Sequence, residues 1–475
     1  MVPVYKLSLT GANAPIIGQG SFGKVYSYGN KVYKKFKLLV DTKNNQDFAI
    51  IENNIKEVSL YKLLLNKSTN SFTSSIVLSE LSPYLSTSEK ITYLPPHVYI
   101  LMDNYGVSLS KLQYTTLSSF KSIFKQIAHT IKCLNISNMS HGDLKPNNIL
   151  INQTTNKVTI IDYGSVCFFH SKHITNEFQR CTIFYVSPEE LLKGNYSLYN
   201  DWWSLGVIIF EFYTKKCFIK KLLEHLNVKK DIVNMFMEYS CELKSTASFN
   251  PTHFLMSVYS KVKNEYINQL IMDNVHERDV QLILMYLLII NPKQRNTDMV
   301  MSLLECEEVC YKEEVNIQSS LEEFKTTSLL SFNTRKFIVE SIFSLCINSK
   351  KFGRETIGHS IMLFDRFCSR TKSPFNPYIY SVISSVFSCI LLKAEIFKGS
   401  FIISTIKEVY PNINISIDEL KDHIINFLSV MDFSLMCLTP DMLYSFEVDY
   451  SYLLSLYTRY ALVNKQAYEI YKLVK

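Results

Sequence analysis

The spacing of apolar residues changes along the chain, and near the amino terminus it indicates strands. Two β-rich runs, KVYSY and KVYKKF, flank Gly29-Asn30, a pair typical of a two-residue hairpin turn. In that register Val25 lies opposite Lys34 and shares its face of the sheet. Lys35 then points to the other face, because successive side chains of a strand alternate.

A helix-type spacing follows over residues 55–63, and the charged residue Glu57 lies within this run. At 100° per residue, the apolar residues within about 60° of Glu57 are Ile50, Leu60 and Leu64. The apolar residues predicted on the opposite, outer face are Ile51, Ile55 and Val58. A helix that is apolar on both sides indicates that another part of the protein covers its outer face. The alternative is a scatter of surface isoleucines in an isoleucine-rich chain.

Further along, apolar runs at 98–102 and 158–161 predict short buried strands, and the period then becomes helical. Residues 337–347 form one amphipathic run. The segment 355–369 places four apolar residues on a single stripe, namely Ile357, Ile361, Phe364 and Cys368. Stretches rich in polar residues at 66–75 and 311–331 predict an exposed loop and a linker.

Composition limits the number of domains, the partners and the cellular compartment that we expect. A chain of 475 residues with 47% hydrophobic content can form two or three domains with large cores. The net charge of +7 comes without a basic block, so we expect no nucleic-acid partner, and the apolar runs are too short for a membrane span. The eleven cysteines form no CxxC pair, which predicts reduced thiols in an intracellular protein of the cytoplasm or nucleus. If the source is a virus, that compartment belongs to the host cell.

The run HGDLKPNN carries the chemistry, because it spaces Asp143, Lys145 and Asn148 at offsets of zero, two and five. Phosphoryl transfer from ATP to a hydroxyl needs a carboxylate that orients the hydroxyl, a cation beside the moving phosphoryl group and a magnesium ligand. The three residues supply these groups in that order. The run resembles the catalytic loop of eukaryotic protein kinases of the serine/threonine type, and among these it is similar to cyclin-dependent kinases.

The resemblance implies ATP and Mg²⁺ as cofactors, and it demands further motifs that the sequence also contains. A GxGxxGxV loop precedes the hairpin, Lys34 is the expected phosphate-contacting lysine, and Glu57 is its expected partner. Asp162, in a DYG variant of the DFG motif, is the expected second magnesium ligand beside Asn148. The other residues expected around the nucleotide are Ile17, Gly18, Gly20, Gly23, Val25, Met102, Asp103 and Tyr105.

The activation segment has its own expected residues. The resemblance implies that Glu189, in an SPE variant of the APE motif, pairs with Arg295, and that Thr182 and Lys145 mark serine/threonine specificity. Glu177 occupies the position of the activating phosphothreonine, and Gly142 replaces the usual phosphate-binding arginine. Lys56 is the one basic stand-in of three family arginines, so we expect no need for phosphorylation, although Thr175 is an alternative acceptor.

Substrate preference for a following proline is open. The matching pocket positions hold Arg180, Cys181 and Val186 instead of the family's small apolar residues and arginine.

The helical segment after the linker resembles a cyclin box, on the string from Arg354 to Ser369 with its ET and DRF elements. The resemblance implies that Arg335 pairs with Asp365 and that Lys393 contacts the kinase beside the glutamate helix. Leu391 departs from the small residue that cyclins prefer, and Asp422 only approximates their glutamate on the fifth helix. The alternative is an unrelated helical bundle.

The expected fold is α+β: a bilobal kinase with a β-rich lobe and a helical lobe, followed by an all-α cyclin-like domain. The expected segments are the amino lobe 1–105, the carboxy lobe 106–311, a linker 312–332, the helical domain 333–440 and a helical tail 441–475. We expect a kinase acting on protein serines and threonines, activated in cis through Ile51, Ile55 and Val58. The alternatives are a kinase whose helical domain is an adaptor, and a pseudokinase scaffold.

Overall fold

The computed structural model describes residues 14–20, 23–42, 46–65, 84–94, 96–112, 117–136, 139–168, 174–175, 182–242, 249–306, 330–393 and 395–436. The predicted loop at 66–75, residues 312–329 of the predicted linker and the predicted tail at 441–475 lie outside these ranges. The two lobes followed by further helices, as predicted, are all present in the described residues.

The amino lobe is built on a five-stranded antiparallel sheet with the order β1-β2-β3-β7-β6. Val25 lies opposite Lys34 in it, so the predicted hairpin register is confirmed. Gly29 has a φ of 60°, the left-handed conformation that a two-residue hairpin turn requires. The strands of this sheet are β1 (Ile16–Gly20), β2 (Gly23–Tyr28), β3 (Lys31–Lys37), β6 (Ser88–Leu94) and β7 (His97–Asp103).

Helix α1 (Glu52–Leu65) carries Glu57, and a small hairpin of β4 (Leu39–Asp41) and β5 (Phe48–Ile50) precedes it. The prediction that Ile50 and Ile51 belong to this helix is wrong. Ile50 ends β5, and the carbonyl of Ile51 accepts the first helical N–H groups instead. The helix starts later than its apolar period because the chain pairs with β4 first.

The carboxy lobe is helical around α4, and all but a few of the side chains of α4 are buried. Short strand pairs hold the loops between its helices and the sheet: β10 with β11 and β8, β9 with β12, and β13 with β14. These strands are β8 (Val107–Ser108), β9 (Met139–Ser140), β10 (Ile149–Asn152), β11 (Lys157–Ile160), β12 (Cys167–Phe168), β13 (Ile174–Thr175) and β14 (Asn195–Tyr196). The helices are α2 (Leu117–Ile136), α3 (Pro188–Lys193), α4 (Asn200–Thr214), α5 (Phe218–His225), α6 (Lys230–Glu242), α7 (Pro251–Tyr259), α8 (Asn264–Asn274), α9 (Arg278–Leu287) and α10 (Thr297–Leu303).

Five α-helices follow within residues 330–436, around a core centred on α12 and α13. They are α11 (Phe332–Asn348), α12 (Ile357–Arg370), α13 (Pro377–Lys393), α14 (Gly399–Val409) and α15 (Ile417–Val430). The four residues of the predicted stripe are all buried, as their helical spacing requires. No helix among the described residues combines the length and apolar content needed to cross a bilayer.

The helical region packs on the amino lobe at β5. Ile50 N–H donates to the carbonyl of Phe397 at 3.0 Å, and Ala49 forms an antiparallel bridge with Lys398. The carboxylate of Asp47 accepts the backbone N–H of Ser400 at 2.9 Å. Asp47 therefore caps the amino terminus of α14 from the other side of the interface, satisfying an N–H group that the helix leaves unpaired.

Phe48 is the apolar centre of this interface, with 0% of its surface exposed. A Cβ at Gly399 would lie 2.5 Å from Cε1 of Phe48, so only glycine lets the two segments approach this closely. Lys421 of α15 lies over the same ring, 5.6 Å from its centroid, and its ammonium binds Asp41 at 2.7 Å.

A buried ion pair holds the helical region together. Arg335 of α11 donates two hydrogen bonds to the carboxylate of Asp365 on α12, at 2.9 and 2.8 Å, so this predicted pair is observed. Burial raises the pKa of Asp365 even though Arg335 lowers it, which shows how strongly the site opposes an uncompensated charge.

Replacing the arginine tests that pair. We expect Arg335→Ala to lower the free energy of unfolding by about 3 kcal/mol, because it leaves a buried carboxylate without its cation. Chemical denaturation measures the change. The matched control is Lys336→Ala, on the same helix, whose side chain is 53% exposed and whose loss should cost under about 0.5 kcal/mol. Equal effects of the two variants would contradict the assignment.

Candidate active site

A buried aspartate positions the catalytic loop. Asp201, in the first turn of α4, accepts the backbone N–H groups of His141 and Gly142 at 2.6 and 3.1 Å. Burial raises the pKa of this carboxyl. Gly142 has a φ of 77°, and a Cβ there would lie 2.2 Å from the carbonyl oxygen of Ser165. The backbone at this point therefore requires glycine, which accounts for the missing arginine.

The three residues of the HGDLKPNN run converge. Lys145 donates to the Asp143 carboxylate at 2.6 Å, and Asn148 donates from Nδ2 to the Asp143 carbonyl at 2.8 Å. Thr182, from the activation segment, accepts from Lys145 at 2.9 Å and donates to Asp143 at 3.2 Å. A carboxylate and an ammonium group thus face one spot, where an acceptor hydroxyl and a transferred phosphoryl group can meet.

A second charged cluster lies between the lobes. The ammonium of Lys34 is 2.7 Å from both oxygens of Glu57 and 3.2 Å from Asp162. The three side chains come from β3, from α1 and from the segment just after β11. The cluster therefore forms only when the sheet, the helix and the carboxy lobe are correctly placed relative to one another.

The titration of this cluster follows from its geometry. Burial disfavours a charge on Lys34, but Glu57 and Asp162 outweigh it and hold the pKa of Lys34 above its ordinary value. Burial raises the pKa of Glu57 to about 7, even though the Lys34 ammonium beside it favours the charged form. Burial also acts on Asp162, yet Lys34 keeps the pKa of Asp162 below the usual range. Asp162 is therefore the carboxylate that stays ionised.

Two oxygen-bearing side chains suit a hard cation. Asn148 and Asp162 are held next to each other, because Ile161 N–H donates to the carbonyl of Asn148 at 3.0 Å. Asp162 has a φ of 69°, a strained conformation that turns its carboxylate toward Lys34. Carboxylate and amide oxygens are the ligands that Mg²⁺ accepts, with nucleotide phosphates completing its shell. The residues present fit that ion.

The predicted nucleotide pocket lies under the sheet. Val25 and Lys34 share a face of the β2–β3 hairpin, as predicted, and Ile17 is half exposed above them. A Cβ at Gly23 would lie 2.8 Å from the carbonyl of Lys35, so that glycine is required, whereas one at Gly18 would meet only Val25. Gly20 ends β1 opposite Gly23.

The back of this pocket is formed by β7. Met102 is buried, and its sulfur lies 3.9 Å from the Tyr61 hydroxyl. The side chain of Asp103 binds Lys31 at 2.8 Å, and Tyr105 directs its hydroxyl to the backbone of Thr87. Within this segment the N–H of Asn104 donates to the carbonyl of Asn30 at 3.3 Å, and the backbone of its neighbours Asp103 and Tyr105 is the expected contact for the edge of a base.

With this geometry established, comparison with known proteins decides the family. Residues 12–310, more than half of the chain, match the protein kinase domain. The chain belongs to the protein kinase family. The kinase domain therefore comprises the two lobes that hold both charged clusters.

Curated relatives of the kinase domain include serine/threonine-protein kinase prpf4B of Dictyostelium discoideum, 27% identical over 48% of this chain and 28% of the relative. Dual specificity tyrosine-phosphorylation-regulated kinase 4 of Homo sapiens is 33% identical over 42% of this chain and 36% of the relative. The chain thus spans about a third of the length of these relatives.

The end of the activation segment is fixed to the carboxy lobe. Arg295 donates two hydrogen bonds to Glu189, at 2.6 and 2.8 Å, and its guanidinium lies 5.2 Å from the Trp203 ring. This is the predicted pair. Thr175 lies on the short strand β13, and Glu177 lies outside the described residues.

Lys56, the expected basic stand-in for a phosphate-binding arginine, is buried close to Cys167 of β12 in the activation segment. Its ammonium already binds Glu52 at 3.2 Å, one helical turn away. Lys393 was expected to reach the kinase domain. Among the described residues it binds instead the Glu355 carboxylate at 3.3 Å and the Lys350 carbonyl at 2.9 Å.

Sequence reasoning missed the part played by Asp201, and it missed Ser86 altogether. Asp201 opens the run DWWSLG, and the need to orient two backbone N–H groups explains an acidic residue there. Ser86 lies outside any motif, just before β6, so no periodic or spacing signal marks it.

Replacing the catalytic carboxylate tests the first cluster. Asp143→Asn should lower kcat about 10²- to 10⁴-fold, because an amide neither accepts the hydroxyl proton nor keeps Lys145 in place. Radiolabelled phosphoryl transfer to a serine/threonine peptide library measures the loss, and nucleotide affinity should stay within about three-fold. The control is Asp298→Asn, whose side chain is 86% exposed and pairs with Lys132 on the surface. Full activity of Asp143→Asn would refute this role.

Proposed function

We propose that this protein is a serine/threonine protein kinase that transfers the γ-phosphoryl group of ATP to hydroxyls of protein substrates. The observation that supports this most directly is the bridge from Lys34 to Glu57 and Asp162 beside the Asp143–Lys145 pair. A pseudokinase scaffold would lack one of these groups or hold them apart, and the distances argue against it.

Each residue then has a chemical task. Asp143 orients the acceptor hydroxyl and takes its proton, while Lys145 offsets negative charge on the phosphoryl group. Lys34, held by Glu57, contacts the remaining phosphates. Bound at Asn148 and Asp162, Mg²⁺ would neutralise the phosphate oxygens on which charge develops.

Serine and threonine acceptors are favoured by Thr182, which fills the space beside Lys145 and hydrogen-bonds both Lys145 and Asp143. The relatives described above are named as serine/threonine and as dual specificity kinases. A substrate screen should therefore compare serine and threonine peptides with tyrosine peptides, since phosphorylation of both kinds would indicate dual specificity.

We further propose that the helical region, which resembles a cyclin box, activates the kinase domain in cis. Glu57 reaches Lys34 only if α1 stays pressed inward, and the outer face of α1 is covered. Ile55 and Val58 are each 1% exposed, and α1 contacts α13 of the helical region. Ile51 is half-buried just before the helix. Burying two such side chains favours the inward position by a few kcal/mol, roughly 1.5–3 each.

The same helix α13 also contacts β12, directly after the DYG motif. One element thus touches both parts that move in kinases, the glutamate helix and the activation segment. Further ties, Lys62 to Asp432 at 2.5 Å and Tyr93 to Phe433 with ring centroids 5.9 Å apart, lie on the same side. Covalent linkage gives the helical region an effective concentration of order millimolar, so no outside subunit is needed.

A full-length variant tests activation in cis. Gly399→Leu should lower phosphoryl transfer at least about ten-fold, because its side chain would displace Phe48 and with it β5 and α1. Ser404→Leu, at an exposed position on the same helix, should leave the rate unchanged. Circular dichroism confirms that both variants are folded. Equal activity of the two would exclude activation through this interface.

Cleavage at a protease site inserted within 312–329 separates the cis model from an adaptor role. The cleaved protein should lose specific activity on dilution, whereas the intact chain should not. An adaptor would leave the specific activity of the cleaved protein independent of concentration.

We also propose that activity needs no phosphate on the activation segment. Gly142 cannot be an arginine for steric reasons, Lys56 is already paired with Glu52, and Glu177 supplies a negative charge in the sequence. Two of the cationic groups that would bind a phosphate are therefore absent or engaged elsewhere.

Phosphatase treatment tests whether activity depends on a phosphate on the activation segment. The treated protein should retain at least about half of its activity, since the folded segment gains little from a phosphate without cations to bind it. Thr175→Ala should behave in the same way. A loss of ten-fold or more in both would contradict the proposal.

A further inference from the structure

Three hydroxyl groups form a buried chain behind the DYG motif. The hydroxyl of Ser86 lies 3.0 Å from that of Tyr61 and 2.9 Å from that of Tyr163. The Tyr163 hydroxyl in turn lies 3.0 Å from the carbonyl of Ser86 and 3.1 Å from the carbonyl of Ile160. All three side chains are at most 1% exposed. Solvent therefore cannot replace these bonds.

The hydrogens of the three hydroxyl groups can be assigned so that each group donates once along the series. Tyr61 donates to the Ser86 hydroxyl, Ser86 donates to the Tyr163 hydroxyl, and Tyr163 donates to a backbone carbonyl. Each hydroxyl then uses its single hydrogen, and the hydroxyl oxygens of Ser86 and Tyr163 each accept one hydrogen bond. A fully satisfied network of this kind is costly to break, because any opening leaves buried polar atoms unpaired.

The chain connects the elements that carry the second charged cluster. Tyr61 lies on α1 one turn after Glu57, and Tyr163 directly follows Asp162 in sequence. Ser86 lies between them and is itself tied to β11, because its N–H donates to the Ile160 carbonyl at 3.0 Å. The rings add contact, with centroids of Tyr61 and Tyr163 5.0 Å apart. The network thus holds the Glu57 helix and the Asp162 segment in the positions where both reach Lys34.

We propose that Tyr61, Ser86 and Tyr163 act as positioning residues that latch the DYG motif inward. This inference rests on the proposed kinase function, because the latched segment carries the magnesium ligand. A phenylalanine at 163 could fill the same space, but it could leave without breaking a hydrogen bond. The latch therefore makes this kinase domain resistant to ligands that need the side chain of residue 163 to leave its pocket.

Two classes of ATP-site inhibitor measure the latch in the full-length protein without relying on catalysis. One probe contacts only the backbone of 103–105, and the other occupies the space that the aromatic side chain of residue 163 vacates. Tyr163→Phe should raise the affinity of the second probe about five- to ten-fold, the factor that one or two buried hydrogen bonds supply. The affinity of the first probe should not change. Ser86→Ala should shift the ratio of the two probe affinities in the same direction as Tyr163→Phe.

The matched control is Tyr410→Phe, which removes a buried tyrosine hydroxyl that lies 3.0 Å from the Ser381 hydroxyl in the helical region. It should move neither affinity. An unchanged ratio in Tyr163→Phe, or the same shift for both probes, would overturn the latch. Absence of phosphoryl transfer by the wild type, together with a shifted ratio, would instead overturn the proposed function and leave the latch standing.

Discussion

One ammonium group between two carboxylates determines the rest of the structure. Glu57 and Asp162 would repel each other in a buried cleft, and Lys34 makes their approach favourable. Each partner has a different support: the hairpin register fixes Lys34, the helix fixes Glu57, and β11 fixes Asp162. Any change that moves one of these supports by an ångström opens the cluster, and with it the place where phosphates would bind.

Contacts far from the nucleotide therefore bear on the chemistry. The glutamate helix has a polar amino terminus but an apolar outer face, and such a face is stable only when another surface covers it. In this chain the cover is α13, and the segment before the helix is tied to residues 397–400 by backbone bonds and by the Asp47 cap. Behind the helix, the hydroxyl chain through Ser86 fixes the other side. The helix is thus held from both faces.

The hairpin register, two ion pairs and the covered helix face could be predicted from the sequence, because each has a local signal. Gly29-Asn30 specifies a turn, and the turn specifies the register that sets Val25 opposite Lys34. The Arg335–Asp365 and Arg295–Glu189 pairs were implied by the resemblance of their motifs to cyclins and to kinases. The helical spacing also predicted that Ile55 and Val58 lie on a face that another part of the protein covers.

The remainder depended on tertiary contacts that spacing does not encode. Ile50 and Ile51 continue the helical period, but pairing of β5 with β4 ends the strand there and delays the helix. Lys393 was expected to contact the kinase domain, but its ammonium binds Glu355 and the Lys350 carbonyl within the helical region. Ser86 has no motif at all, and its importance arises only from two tyrosines that meet it from distant parts of the chain.

The most direct test of the central claim is calorimetric titration of the protein with a non-hydrolysable ATP analogue, with and without Mg²⁺. The account predicts that Mg²⁺ strengthens binding by the wild type, and that Lys34→Ala and Asp162→Asn each abolish this strengthening. Undiminished Mg²⁺-dependent binding by both variants would contradict it.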